Sequence, residues 1–223
     1  MLYASSTLGI VALAVGLLMI GNEFDLSSGV AVTTAALVAT MLNYNLHLNS
    51  WVGAGLSLLV ALSIGALNGL LVVHTKIDSF LITLAAFLML QGLNLAVTKL
   101  ITGQVATPSI ADMEGFPTAQ TIFAGTIHIG TLSIRATVLW WIFFVALASF
   151  VLYKTRFGNW VFAVGGAAEA ARAVGVPVRR VKVILFMLVG FAAWFVGMHT
   201  LFAFDSIQAG QGIGNEFLYI IAA

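Results

Sequence analysis

The chain has 223 residues, of which 61% are hydrophobic and 8% are charged, and its formal net charge is +1. Soluble domains carry roughly 25% charged residues, so this composition indicates an integral membrane protein. It leaves no polar surface on which a nucleic acid could lie, and the absence of cysteine excludes disulfides and thiolate metal sites.

Two apolar runs, 1–22 and 26–45, open the chain and are separated by three residues that include Glu23 and Asp25. A helix that crosses the hydrocarbon core needs about 20 apolar residues. The runs therefore fit either two short spans or a re-entrant pair of half-helices, and the sequence leaves this choice open.

Asp25 has two compatible interpretations. It is the N-cap of a helix that starts at Leu26, or it lies in an unwound break whose carboxylate and backbone line a polar pathway. An acid near the bilayer centre costs on the order of 2.5 to 3.5 kcal/mol and is usually retained for a reason. A half-helix that begins within the membrane would need such a cap, so both interpretations can hold.

Four longer uncharged runs predict transmembrane helices, because each is close to the length that spans a bilayer. They cover residues 51–73, 80–98, 136–153 and 183–204. A further apolar run begins at Glu216 and stops with the chain, so we expect the chain to be truncated.

Three connections join these runs, and the alternation of spans places 74–79 and 153–182 on one face and 99–135 on the other. The loop 153–182 is strongly basic, so the positive-inside rule predicts that it is cytoplasmic and that 99–135 is extracytoplasmic. We expect one transmembrane domain over 1–223 that carries both loops.

Within the basic loop, the sequence GGAAEAARAVG predicts a short helix over 167–174, which Gly175 and Pro177 end. Two turns are too short to be stable alone, so this helix must pack on something. It is either a surface helix whose basic neighbours satisfy the positive-inside rule, or a docking helix for a cytoplasmic partner.

The stretch 155–182, TRFGNWVFAVGGAAEAARAVGVPVRRVK, resembles the conserved cytoplasmic loop of ABC importer permeases. Two more stretches, NEFDLSSGVAVTTAALVA and GALNGLLVVHTKIDSFLITLAAFLMLQGL, resemble the branch that imports monosaccharides of the ribose and xylose type. Asp78 and Ser79 stand where that branch has a proline pair, and Gln91 stands where it has an arginine. The resemblance covers 8–223.

The resemblance implies an all-α, polytopic transmembrane helical bundle of the BtuC-like type II ABC importer kind, truncated at both ends. It implies a permease subunit that moves a monosaccharide, such as a pentose, through the bacterial cytoplasmic (inner) membrane. The short helix would be the coupling helix that fits a groove on the ATPase. The coupling residues carried over are Gly166, Glu169, Ala170, Ala171, Arg172 and Gly175.

Several polar side chains inside the apolar runs are candidates for a translocation pathway, since they could bond sugar hydroxyls. More often such groups bond across helices. The candidates are Asp25, Ser27, Asn68, Gln91 and Asn94. His199 has no second histidine or carboxylate at helical spacing, so it is expected to be a packed, hydrogen-bonded residue. The stretch AGQGIG, 209–214, predicts a turn at the membrane edge.

No lysine in the sequence follows a glycine, which excludes a phosphate loop of the G-x-x-x-x-G-K type. We expect no catalytic residue, no metal site and no cofactor on this chain, with ATP and Mg bound by the partner ATPase. The resemblance implies three protein partners: the cytoplasmic ABC ATPase, a periplasmic or lipoprotein sugar-binding protein, and a second permease chain, forming a homodimer in membrane lipid. The alternatives are a branched-chain amino-acid importer and an ion-coupled secondary transporter.

Overall fold

The structure, a computed structural model, describes residues 2–129 and 132–223 and is a helical bundle. Its helices are α1 Leu2–Ile20, α2 Ser28–Leu46, α3 Ser50–Thr75, α4 Ser79–Thr102, α5 Phe116–Ala124, α6 Ala136–Lys154, α7 Arg156–Ala173, α8 Val178–Phe204 and α9 Asn215–Ala222. Strands β1 (Thr126–Ile129) and β2 (Leu132–Arg135) pair antiparallel in a small hairpin before α6. The prediction of an all-α polytopic bundle is confirmed, although this hairpin was not predicted.

Among the residues that the structure describes, five helices have the length and hydropathy to cross a membrane: α2, α3, α4, α6 and α8. The four predicted spans are among them. The two N-terminal runs form two helices of 19 residues each rather than half-helices, and at 1.5 Å per residue each is about 28 Å long. The chain is a multi-pass membrane protein.

Helix α8 forms the centre of the bundle, where it packs against α1, α2, α3, α5 and α7. Its closest neighbour is α3, and glycines make their approach possible. A Cβ on Gly65 would lie 2.5 Å from the Phe186 carbonyl oxygen, and a Cβ on Gly190 would lie 2.5 Å from the Ala61 carbonyl oxygen. Small residues that let backbones approach are the usual basis of helix packing in membranes.

One end of the bundle, which we call the α7 end, contains residues 21–27, 74–79 and 155–177. The backbone N–H of Phe24 donates to Ser79 Oγ, and Glu23 forms an ion pair with Lys182 in the first turns of α8. These contacts bring the first and third connections to the same face, as the alternation of spans predicts.

The opposite end contains residues 103–124 and 205–209. We call it the hairpin end, because α5 leads from it into the β1–β2 hairpin. The Thr107 N–H donates to the Ile207 carbonyl oxygen, beyond the C-terminus of α8, and the Ser50 N–H donates to the Glu114 carbonyl oxygen. The predicted connection 99–135 is therefore folded against the bundle rather than a free loop.

The predicted boundaries of both long loops were too wide. Helix α4 continues past Lys99 and ends at Thr102, where Gly103 takes a left-handed conformation with φ 71°. Helix α8 begins directly after Pro177, so the last basic residues of the predicted loop 153–182 belong to its first turns. Lys99 and Lys182 are thus helical residues near the bundle ends.

Candidate coupling helix and candidate pathway

Helix α7 consists of two helical parts that meet at a kink at Ala167, where φ is −156° and ψ is 86°. The second part is the short helix that the sequence predicts at 167–174. The first part, 156–166, was not predicted. It begins where the Thr155 side chain accepts a hydrogen bond from the Gly158 N–H, so Thr155 acts as its N-cap.

The second part of α7 presents small residues to the exterior. Of the six predicted coupling residues, five are exposed: Gly166, Glu169, Ala170, Arg172 and Gly175. Ala171 is the exception, since it is buried against the bundle and holds the helix in place. An exposed ion pair of 3.0 Å joins Glu169 to Arg172, as their spacing suggests.

Gly175 ends α7 for a conformational reason. Its φ is 87°, a region that L side chains rarely adopt, and its N–H donates to the Arg172 carbonyl oxygen. The predicted stop of the short helix at Gly175 is confirmed. A side chain here would have open space but a strained backbone.

The first part of α7 is fastened to α1 by close packing. A Cβ on Gly165 would lie 1.8 Å from the Ile20 carbonyl oxygen, at the last residue of α1. Val161 and Val164 on the same part are buried. Only glycine fits at this contact, so the first part of α7 lies directly against the C-terminus of α1.

Lys182 makes a second connection between the α7 region and the break that follows α1. It forms an ion pair with Glu23, whose side chain is 8% exposed, against 19% for the Lys182 side chain. The Glu23 N–H also donates to the Leu18 carbonyl oxygen. The break is thus tied to α1 on one side and to α8 on the other.

Three of the predicted pathway residues meet at the start of α2. Asp25 Oδ1 accepts hydrogen bonds from the Ser27 N–H at 2.8 Å and from Ser27 Oγ at 2.6 Å. Asn68 on α3 donates from Nδ2 to Ser27 Oγ at 3.0 Å. All three side chains are buried, so they form one polar network inside the bundle.

Asp25 makes the hydrogen bond that is expected of an N-cap, but the predicted start of the helix at Leu26 is wrong. Asp25 binds the N–H two residues on, as an N-cap does. Helix α2 nevertheless begins at Ser28, and Ser27 in the N-cap position makes no side-chain cap bond. Asp25 therefore orders the unwound turn that precedes the helix.

The Asp25 network lies toward the α7 end and not at the middle of the bundle. Asn68 is seven residues from the end of α3 at Thr75, which corresponds to about 10 Å along the helix. The Leu26 N–H donates to Thr83 Oγ1, four residues into α4. These contacts place Asp25 in the half of the bundle nearer the α7 end.

The other two pathway candidates lie elsewhere on α4. Asn94 is buried, and its amide nitrogen has no hydrogen-bond partner among the described residues. It is 11 residues beyond Thr83, or about 16 Å along the helix, so it does not join the Asp25 network. Gln91 is half-buried.

Two residues that bind the break before α2 were not predicted, and one of them, Ser79, belongs to a departure from the family pattern. Ser79 and Thr83 accept the Phe24 and Leu26 N–H groups of the break. Asp78 caps α4 by accepting from the Phe80 N–H at 2.8 Å. The signal was the polar pair Asp78 and Ser79 in place of two prolines, with Thr83 one turn further on the same face.

The stretch 209–214 forms consecutive turns, as predicted. It runs from the hairpin end, where the Ala209 N–H donates to the Val105 carbonyl oxygen, to the side of α2. There Thr33 Oγ1 donates to the Gln211 carbonyl oxygen, and Gly212 packs against Gly29. The glycines permit an approach to α2 that larger residues would block.

His199 is packed and hydrogen-bonded, as predicted. Its side chain is 1% exposed, and Nδ1 lies 2.7 Å from the Phe123 carbonyl oxygen and 3.2 Å from Thr137 Oγ1. It thereby joins α8 to α5 and α6. Within the described ranges, no cluster of three or more histidine, aspartate or glutamate side chains could hold a metal ion.

Comparison of the sequence with known proteins assigns the chain to a family. The profile described as "Branched-chain amino acid transport system / permease component" matches residues 1–223. Three curated relatives that the chain matches have a sugar in their names. No solved structure matches the chain.

These three relatives illustrate the likeness. The ribose import permease protein of Escherichia coli K12 is 27% identical over 222 residues, which cover 99% of this chain and 66% of the relative. The L-arabinose transport system permease protein of the same strain is 28% identical, covering 98% and 62%. The galactose/methyl galactoside import permease protein of Haemophilus influenzae is 32% identical, covering 87% and 59%. The chain thus spans about two thirds of the length of these relatives.

Proposed function

Because the chain belongs to the family of permease components of the branched-chain amino acid transport system type, we propose that it is the membrane-spanning permease subunit of an ATP-driven ABC importer. Its cargo in this proposal is a monosaccharide, a pentose or a related sugar. The membrane is the bacterial cytoplasmic membrane, and the α7 end faces the cytoplasm. The basic residues of 153–182 support that orientation.

The observation that carries the sugar assignment is the likeness to ribose and arabinose permeases over 98–99% of the chain. The branched-chain amino-acid importer remains the second candidate, because the family description names that transport system. The stretches around Asp25 and Asn68 favour the sugar branch, because they carry the resemblance to it.

The second part of α7 is suited to dock on an ATPase subunit. The exposed alanines Ala167, Ala170 and Ala173 leave a narrow rod that a groove can enclose, and the Glu169 and Arg172 pair provides a polar edge. ATP and Mg belong to the ATPase in this scheme. A binding event on one subunit can shift another only through contacts that differ between the two states.

The path from α7 into the bundle runs through the two attachments described above. Gly165 contacts the end of α1, and Lys182 contacts Glu23 in the break. The break continues into the Asp25, Ser27 and Asn68 network at the start of α2. A shift of α7 would therefore change the position of α2, which is the least hydrophobic of the five spans.

The remaining partners follow from the same proposal. A periplasmic or lipoprotein sugar-binding protein docks at the hairpin end and delivers the sugar. A second copy of the permease completes the pathway, and lipid and that copy cover the apolar sides of α4 and α6, which are largely exposed. An ion-coupled carrier is less suited to the site, because Glu23 is held by Lys182 and Asp25 by Ser27.

The test is ATP hydrolysis by the full-length permease co-purified with its ATPase in lipid nanodiscs. Addition of binding protein loaded with its monosaccharide should raise the hydrolysis rate several-fold, and leucine with the same protein should not. Stimulation by leucine and not by any sugar would support the amino-acid importer. Transport without an ATPase would contradict the proposal as a whole.

A further inference from the structure

A cavity of about 240 Å³ lies inside the bundle between α1, α2, α8 and the segment that leads into α9. Polar side chains from four parts of the chain converge on it. They include Thr33, His199, Thr200, Gln211, Asn215 and Tyr219. By contrast, the groove between α1, α6 and α8 is lined by apolar side chains only.

Polar groups inside a membrane protein are costly, so their convergence on one cavity calls for a reason. Some also have structural bonds: Thr33 donates to the Gln211 carbonyl oxygen, and Thr200 donates to the Val196 carbonyl oxygen. His199 Nδ1 lies 2.7 Å from the Phe123 carbonyl oxygen, so a neutral ring donates there. The cavity wall therefore has a fixed pattern of donors and acceptors.

The chemistry of the wall suits a neutral, hydroxyl-rich solute. None of the described residues that line the cavity carries a full charge at neutral pH. Hydroxyl and amide groups both donate and accept, as sugar hydroxyls do. Phe204, Val196 and Ile207 supply apolar surface between them. A few convergent polar groups on an otherwise apolar wall are typical of small-molecule sites.

The same wall is poorly suited to an amino acid, whose carboxylate and ammonium need partners. The first turn of α9 borders the cavity, and a helix N-terminus can hold an anion. Here the Gly214 N–H is already bound by the Glu216 carboxylate, at 2.9 and 3.0 Å from its two oxygens. The anion position is thus occupied by the protein itself.

We infer that this cavity is a sugar subsite within the permease, which holds a monosaccharide during its passage. The inference rests on the proposed function and adds the location of a binding site to it. The site lies beside the stretch 209–214, whose approach to Gly29 and Thr33 forms part of its wall.

The experiment fills the cavity and measures transport. The full-length permease is co-purified with its ATPase and reconstituted into proteoliposomes with the binding protein, and uptake of labelled D-ribose or L-arabinose is measured. Thr200→Phe places a ring in the cavity and should reduce uptake at least tenfold, with the same amount of ATPase co-purified. Ala203→Phe adds the same ring one turn away on α8, outside the cavity, and should stay within twofold of the wild type.

Uptake by Thr200→Phe within twofold of the wild type would overturn the inference and leave the proposed function intact. Absence of any monosaccharide uptake by the wild type would contradict the proposed function and this inference with it. If Thr200→Phe fails to assemble with the ATPase, the uptake by Thr200→Val tests the inference instead. This variant keeps the shape but removes the hydroxyl, and uptake at low sugar concentration should fall about fivefold, the effect of one neutral hydrogen bond.

Thr40→Val is the matched control for this second variant. Thr40 is buried on α2 and, like Thr200, donates to the carbonyl oxygen four residues earlier, but it does not line the cavity. Its uptake should equal that of the wild type. An equal loss in Thr40→Val and Thr200→Val would mean that both act through helix stability, which would overturn the sugar subsite.

Discussion

Glu23 and Lys182 are 159 residues apart in the chain and form an ion pair in which both side chains are largely buried. The pair joins the break between α1 and α2 to the first turns of α8, directly after the basic loop. In the proposed transporter, it is one of two contacts through which α7 acts on the membrane domain; the other is Gly165 against α1.

Removal of one partner of this pair should destabilise the protein. Lys182→Met leaves the Glu23 carboxylate buried without its cation, which costs about 3 kcal/mol in comparable cases. The measurement is the thermal unfolding midpoint of the purified permease, which should fall clearly. The double variant Glu23→Lys with Lys182→Glu should recover most of the loss.

Arg172→Met is the control for that experiment. It breaks the exposed Glu169 pair, and exposed pairs contribute little to stability. An unfolding midpoint for Lys182→Met as high as for Arg172→Met would show that the Glu23 contact is not structural.

Reversal of the charge at Glu169 should uncouple transport from ATP hydrolysis. Glu169→Lys changes an exposed residue of α7, so membrane insertion and folding should be retained. Reconstituted with the ATPase, it should lose most of its sugar uptake. Glu169→Asp keeps the negative charge at the same exposed position and should retain most of the uptake. Normal uptake by Glu169→Lys would remove this residue from the coupling role.

The contact between α7 and α1 should tolerate no side chain at Gly165. Gly165→Ala would place a Cβ 1.8 Å from the Ile20 carbonyl oxygen, so the two helices must move apart. We expect reduced uptake and a lower unfolding midpoint. Gly55→Ala, a substitution on α3 where a Cβ would meet open space, should change neither. Equal behaviour of the two variants would contradict the close packing.

The Asp25 network should depend on Asn68. Asn68→Leu removes the donor to Ser27 Oγ within a buried network, at an expected cost of about 1 kcal/mol in unfolding free energy. Uptake should fall as well, since the start of α2 is less ordered. Asn45→Leu removes an exposed asparagine on α2 and should have no effect on either quantity. Wild-type stability in both variants would exclude a structural role for the network.

The transmembrane helices could be predicted because a long uncharged run has few other structures available in a membrane. The first part of α7 could not. The residues 156–166 are too short and too mixed for a span, and their helix depends on Val161, Val164 and Gly165 packing on the bundle. Its stability comes from tertiary contacts, which the local sequence does not display.

The same limit applies to the site. Asp25, Ser27 and Asn68 stand out singly as polar residues in apolar surroundings, but their contact joins segments 41 residues apart. The alternation of spans predicts on which side of the membrane a segment lies, but not how far it lies from the end of the bundle. The position of Asp25 along the bundle is known only from the contacts of its segment with Thr83 and Asn68. The contacts of Gln211 and Gly212 with α2 were not predicted, for the same reason.

The most direct test of the account is uptake into proteoliposomes that contain the full-length permease, its ATPase and the binding protein. Labelled D-ribose, L-arabinose, D-galactose and L-leucine are compared with and without ATP. The account predicts ATP-dependent accumulation of at least one of these sugars and none of leucine, with the sugar signal lost in Glu169→Lys. Accumulation of leucine instead, or of sugar without the ATPase, would contradict it.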